Sequence, residues 1–241
     1  MTDLSPKGVL SLVGGGEWQS DCEPFDKELL ELADSHEVVV LPTAAAYEMP
    51  DRAVMNAQSH FSKLGAVAKG VMVLNRQDAM NKRYADEVAE AQFIYLSGGS
   101  PLHLRSVLKD SLVYGAMLYA YRRGAVLAGS SAGGMVLTDP MADPRGGAFT
   151  VGLGLISPLA FVPHFESYPN ERKDRTLRLA TKNVGILGVS EGCCVIRLHD
   201  GTLFERGKRG ASAFLNGEPC TIEQIALNVK VDTSKSSLFT S

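Results

Sequence analysis

Residues 127–137 read LAGSSAGGMVL: two adjacent serines between glycines, with an apolar run on either side. Gly129-Ser130-Ser131-Ala132-Gly133 fits the pattern G-x-S-x-G. In that pattern the serine sits on a sharp, strained strand-to-helix turn, and only very small residues two places either side avoid a clash. The run AVLAG at 125–129 reads as the strand, and a helix follows. A helix N-terminus supplies unpaired N–H groups and partial positive charge, which suit an oxyanion. Ser131 is therefore the candidate nucleophile. No Lys-Ser or Lys-Thr follows, so the turn is not a phosphate-binding loop. The competing reading is a Gly/Ser turn that packs close to a neighbouring strand.

Working outward, the same texture recurs. GVLSLVGGG (8–16), HEVVVLPTAA (36–45), GVMVLN (70–75) and AQFIYLSGGS (91–100) read as strands, two of them ending in glycines. Phe25, Leu29, Leu32 and Ala33 recur at helical period, and further helices are expected near 50–65 and 83–90. Asp110 or Ser111 caps another helix, which turns Val113, Met117 and Ala120 inward and stops at Arg122-Arg123-Gly124. Strands alternating with helices mean βαβ units. The predicted fold is α/β: a three-layer, doubly wound, mainly parallel sheet. After residue 185 the texture changes. GILGVSEGCCVIRLHDGTLFERG carries a turn at Asp200-Gly201, and FLNGEP offers another at Asn216-Gly217. These predict C-terminal antiparallel strands on one edge of the same sheet, followed by a surface tail, VDTSKSSLFTS. No boundary interrupts residues 1–241, so one domain is expected.

The 241 residues are 45% hydrophobic and 21% charged, enough for a core that needs no disulfide, metal or cofactor. A net charge of -3 leaves no basic footprint for nucleic acid or an anionic membrane. Cys22, Cys193, Cys194 and Cys220 include no C-x-x-C pair and read as thiols in a reducing compartment. The start, MTDLSPKGVL, has no signal-peptide apolar region, and no apolar run reaches the ~18 residues of a membrane span. The expectation is a cytoplasmic protein, monomer or homodimer, acting on a small molecule.

A serine nucleophile needs a base. His36 precedes a strand, at the wrong end of the sheet. His60 is expected on a surface helix, and His199 lies beside a hairpin turn. His103 follows the glycine loop and is a candidate by position. His164, in LAFVPHFES (159–167), ends an apolar run and should emerge at the same strand edge as Ser131. Ligand and catalytic groups gather at that edge in open α/β sheets. For the orienting acid, Glu191 in GVSEGCC stands at another strand end, with Asp139 and Asp143 as rivals.

AGSSAGGMVL, VPHFES and GVSEGCCVI, in that order, resemble the serine peptidase family that contains peptidase E (aspartyl dipeptidase) and cyanophycinase. The opening VGGGE (13–17) is nearer to cyanophycinases. The resemblance runs from the first glycine-ended strand to about residue 197. It implies a flavodoxin-like sheet of the class I glutamine amidotransferase type. It also implies Ser131 as nucleophile, His164 as base and Glu191 as third member, with an aspartate after the nucleophile helix (Asp139 or Asp143) as the competing third member. The oxyanion is expected between the N–H groups of Ala132 and Gly99. Peptidase E has an Arg-x-x-Arg after its histidine and an arginine that recognises an N-terminal aspartate. By that similarity Arg172 and Arg175 are candidate substrate-binding residues, and an Asp-X dipeptidase is implied. Cyanophycinases show Asp-Gln before the histidine and Gln after the Gly-Gly loop, where this chain has Val162-Pro163 and Pro101. Another small-peptide, amide or ester hydrolase and an inert amidotransferase-like binding module are the alternatives.

Overall fold

Alternate residues on a strand face opposite ways, and the first apolar runs use both faces. The computed structural model describes residues 6–145 and 147–240. Its first strands are β1 (Val9–Val13), β2 (Glu37–Leu41), β3 (Val67–Gly70), β4 (Phe93–Leu96) and β5 (Val126–Ser130). Short pieces follow, β6 (Met141–Ala142), β7 (Phe149–Thr150) and β8 (Ile156–Ser157). Next come β9 (Leu159–Val162), β10 (Gly185–Val189), β11 (Cys194–Arg197) and β12 (Leu203–Arg206). The last are β13 (Ala211–Leu215), β14 (Glu218–Cys220) and β15 (Lys230–Val231). The helices begin with α1 (Glu23–Ala33), α2 (Pro50–Lys63), α3 (Arg76–Ala79), α4 (Lys82–Ala89) and α5 (Pro101–Leu108). They continue with α6 (Leu112–Arg123), α7 (Ala132–Leu137), α8 (Asn170–Leu179), α9 (Ile222–Asn228) and α10 (Ser237–Thr240).

The central sheet has the order β12-β11-β1-β5-β4-β2-β3. Its first five strands in sequence are mutually parallel, and β11 and β12 extend it antiparallel beyond β1. Val9, Val13, Val38, Val40, Phe93 and Tyr95 pack one face against Phe25 and Leu29 of α1 and Ala57 and Phe61 of α2. Leu10, Leu12, Val39, Leu41, Ile94 and Leu96 pack the other against residues of α4, α5, α6 and α7. Both faces are covered, which is why these strands read as nearly unbroken apolar runs. The expected doubly wound α/β architecture, with an antiparallel edge, is present.

Three expectations need correction. Only β11 and β12 join the edge of the central sheet. β13 and β14 pair with β10 and β9 in a second sheet, ordered β14-β13-β10-β9. The strand expected at 70–75 lies earlier: β3 pairs with β2 only as far as Gly70, and Val71 makes one last bond to Val40 O before the chain leaves. The C-terminal segment is packed rather than loose. β15 pairs with β8, Arg122 donates to Ser236 Oγ at 2.9 Å, and the Phe239 ring lies 5.4 Å from that of Tyr119 on α6. Ser241 and residues 1–5 lie outside the described residues. All four cysteines are unpaired, and no described helix is long and apolar enough to cross a membrane.

Candidate active site

β5 ends in Ser130, and the chain turns at Ser131 with φ 49° and ψ -112°. That left-handed turn is pinned from both sides. Ser131 N–H donates to Val13 O at 2.9 Å, and Met135 N–H returns to Ser131 O to open α7. The flanking glycines are required by space. A Cβ on Gly129 would sit 2.5 Å from the Gly133 backbone, and one on Gly133 would sit 2.4 Å from Leu96 O. The turn is thus built to lift the Ser131 side chain out of the sheet edge.

His164 follows β9, in the second sheet, and is carried across to the first. Its own φ is 52°, and its N–H donates to Gly14 O at 2.7 Å. Ser131 Oγ lies 2.9 Å from His164 Nε2, and His164 Nδ1 lies 2.6 Å from Glu191 Oε1. Glu191 is held in turn, because its N–H donates to both oxygens of the Glu166 carboxylate at 3.1 and 3.2 Å. Burial works against the charge on Glu166. Hydrogen bonds from backbone N–H groups, Ser190 and Arg209 outweigh it and hold the carboxyl below its ordinary range.

Around Ser131 the donors are distinguishable. Ala132 is the first residue of α7, where an N–H has no partner within the helix. In the facing loop after β4, Gly98 N–H is taken at 2.8 Å by Glu17 Oε1, while Ser130 Oγ donates to Glu17 Oε2 at 2.8 Å. Gly99, with φ 133°, is the residue of that loop whose Cβ would strike the Ala44 carbonyl. These groups open on a cleft of ≈ 400 Å³ at the C-terminal ends of the parallel strands, lined among others by Glu17, Glu48, Arg52, Asn56, Ser131 and His164.

The structure brings Ser131, His164 and Glu191 together and leaves their rivals elsewhere. Asp139 accepts the Gly152 N–H at 3.0 Å, and Asp143 pairs with Arg145 at 2.8 Å. His103 Nε2 lies 2.9 Å from Leu74 O, and His36 and His199 are exposed. His60 is not on a surface: it is buried with its Nε2 2.8 Å from Asp26 Oδ2. Arg172 and Arg175 also correct the expectation, for neither lines the cleft. Arg172 Nη1 donates to Pro144 O at 3.4 Å, and the charge of Arg175 acts on Asp143. Five residues separate His164 from Asn170, where α8 begins, and α8 is then tied away from the cleft, with Thr176 Oγ1 donating to Gly147 O at 3.0 Å. The cation that does line the cleft is Arg52, in the first turn of α2, where nothing in the local sequence distinguishes it from a surface arginine. Glu17 had a visible signal, since it closes the VGGGE stretch directly after the glycines that follow β1, but no site role was assigned to it.

The family model of peptidase family S51 matches residues 10–205, which span all of these groups. The chain belongs to peptidase family S51. Cyanophycinases from Synechococcus elongatus and from Thermosynechococcus vestitus are each 23% identical over 219 residues. The match takes in 84% of this S51 chain but spans only 66% of the length of those relatives. A peptidase from an acI-B1 actinobacterium superposes with a TM-score of 0.78 at 25% identity, covering 91% of this chain and 98% of that one. A Listeria monocytogenes protein assigned to peptidase E shares the fold, with a TM-score of 0.64 at 18% identity over 83% of this chain and 98% of its own.

Proposed function

We propose that this S51 protein is a serine hydrolase that cleaves small peptides through an acyl-enzyme, with Ser131 as nucleophile, His164 as base and Glu191 as the orienting acid. The reading is carried by one observation. A serine on a strained elbow, an imidazole and a carboxylate form an unbroken chain of 2.9 and 2.6 Å contacts. With the ring proton on Nδ1 and donated to Glu191, Nε2 is the free acceptor for the Ser131 proton. The alkoxide attacks the peptide carbonyl, and the imidazolium then protonates the leaving amine. The oxyanion sits between Ala132 N–H and Gly99 N–H, donors worth about 3 kcal/mol each in a transition state of this kind. Water, deprotonated by the same imidazole, releases the acid. The proposed substrate is a dipeptide with an N-terminal aspartate, supported by the peptidase E-like motifs and by a cleft of dipeptide size.

The test joins a fluorophosphonate probe to a dipeptide-library screen, with and without N-terminal Asp. Wild type should label stoichiometrically at Ser131 and hydrolyse a subset of dipeptides, and Ser131→Ala should lose both. A Ser131→Ala protein that hydrolyses the confirmed substrate at the wild-type rate sinks the proposal.

A further inference from the structure

We infer that the cleft is charged to read both ends of a free dipeptide: Glu17 takes the α-ammonium of the residue that donates the acyl group, and Arg52 takes the C-terminal carboxylate. This rests on Ser131 being the nucleophile.

Glu17 holds the Gly98 loop and Ser130, and in doing so places an anion beside the nucleophile. A point 2.7 Å from its Oε1 is only 3.5 Å from Ser131 Cβ, and its other oxygen is bonded to Ser130, the residue before the nucleophile. A fixed carboxylate there opposes the negative charge that develops on the carbonyl oxygen during attack. A cation bound against it removes that opposition. In a peptide the α-nitrogen lies about 2.5 Å from the carbon under attack, across two bonds and one tetrahedral angle. A free N-terminus therefore delivers its ammonium to the neighbourhood of Glu17 whenever its own carbonyl is the one attacked. Each Glu17 oxygen accepts one protein hydrogen bond and has capacity for a second.

Arg52 supplies the opposite charge. Among the described residues it is the one Arg or Lys lining the cleft, and it forms no ion pair with a described carboxylate. Glu48, on the same rim in the bend just before α2, makes no ion pair with it. In a dipeptide the carboxylate carbon lies roughly 4 Å beyond the scissile carbon, on the leaving side. An arginine fork across a small cleft reaches it and binds it by two parallel bonds. In a longer peptide a neutral amide takes that place, so the same contact limits substrate length.

The experiment uses the best dipeptide from the library, its N-acetyl and C-amide derivatives, and the Asn-X analogue if Asp-X is the best. kcat/KM ratios are taken within wild type, Glu17→Gln and Arg52→Gln, so partial loss of folded protein cancels. Wild type should prefer the free dipeptide to each capped form by at least about 100-fold. Glu17→Gln should shrink the preference over the N-acetyl form to under about 10-fold. Arg52→Gln should do so for the C-amide, mainly through KM, and keep the discrimination against the N-acetyl form. Equal rates on free and capped peptides, or wild-type ratios in either variant, overturn the inference while fluorophosphonate labelling of Ser131 remains normal. So does an Arg52→Gln protein that loses Asp-over-Asn preference instead, since Arg52 then reads a side chain. Absence of both labelling and hydrolysis in wild type defeats the Ser131 reading itself.

Discussion

Ser131 holds its left-handed conformation because the chain has no alternative once β5 is paired and Gly133 is pressed against Leu96. The G-x-S-x-G spacing announced this turn, since the two glycines are the residues a side chain would displace. The strand-end positions of His164 and Glu191 were legible for the same reason: each ends an apolar run. The choice among acids was not legible, because Asp139, Asp143 and Glu191 all sit on loops and sequence carries no distance. Geometry separates them, and kinetics should follow it. Glu191→Gln should lower kcat by roughly 10²- to 10⁴-fold with little change in KM, because an amide cannot hold the imidazole tautomer or balance its charge. Asp143→Asn should leave kcat near wild type, as it loses the pair with a largely exposed Arg145 and the attraction of Arg175, neither of which touches the imidazole. Steady-state rates on the confirmed substrate decide, and the opposite ranking would restore the aspartate.

At the scale of elements, α1 and α2 cover one face of the sheet and are joined by the Asp26–His60 contact. The helix expected at 50–65 is observed at Pro50–Lys63, so periodicity located it well. What it concealed was the direction of His60. Positions 57, 60 and 61 share one helix face, and all three are buried, but a histidine among them reads as a polar interruption. Burial pushes the Asp26 carboxyl up from its ordinary value of 3.8, against the lowering effect of His60. The folded state therefore keeps this proton to higher pH than the unfolded chain does. The stability this gives is full below about pH 4 and is lost as pH rises through the folded value. Removing His60 deletes the group that lowers Asp26 and drives that value higher. His60→Ala should thus destabilise by about 3–5 kcal/mol at pH 7 and by distinctly less near pH 4. Urea unfolding midpoints at the two pH values measure this, and a deficit that does not vary with pH would contradict it.

Across the whole molecule, the candidate site is a joint between two sheets. Ser131 comes from the parallel sheet, while His164 and Glu191 come from the ends of β9 and β10 in the other. The order of motifs along the chain was readable, yet the second sheet was not. Its strands are short runs, and β10 finds its partners far off in the chain: Gly185 pairs with Leu159, 26 residues back, and Val189 with Ala211, 22 residues ahead. No local pattern encodes such pairing. The joint closes at Gly14 and Gly15, where β1 meets the loops of the second sheet. A Cβ on Gly14 would lie 2.1 Å from Ser190 O, and one on Gly15 would lie 2.2 Å from His164 Cε1. Gly15→Ala tests whether this approach sets the catalytic distance. Backbone strain at φ 118° should cost about 1–3 kcal/mol of stability. Displacing the ring by even an ångström should slow fluorophosphonate labelling by about 10²-fold. Gly65→Ala isolates the second effect: Gly65 also has a positive φ, 77°, but an added Cβ there meets nothing within 4 Å. It should lose comparable stability and label at the wild-type rate. If Gly15→Ala also labels at that rate, the imidazole is positioned by β9 alone, and the contact with β1 is packing without consequence for the reaction.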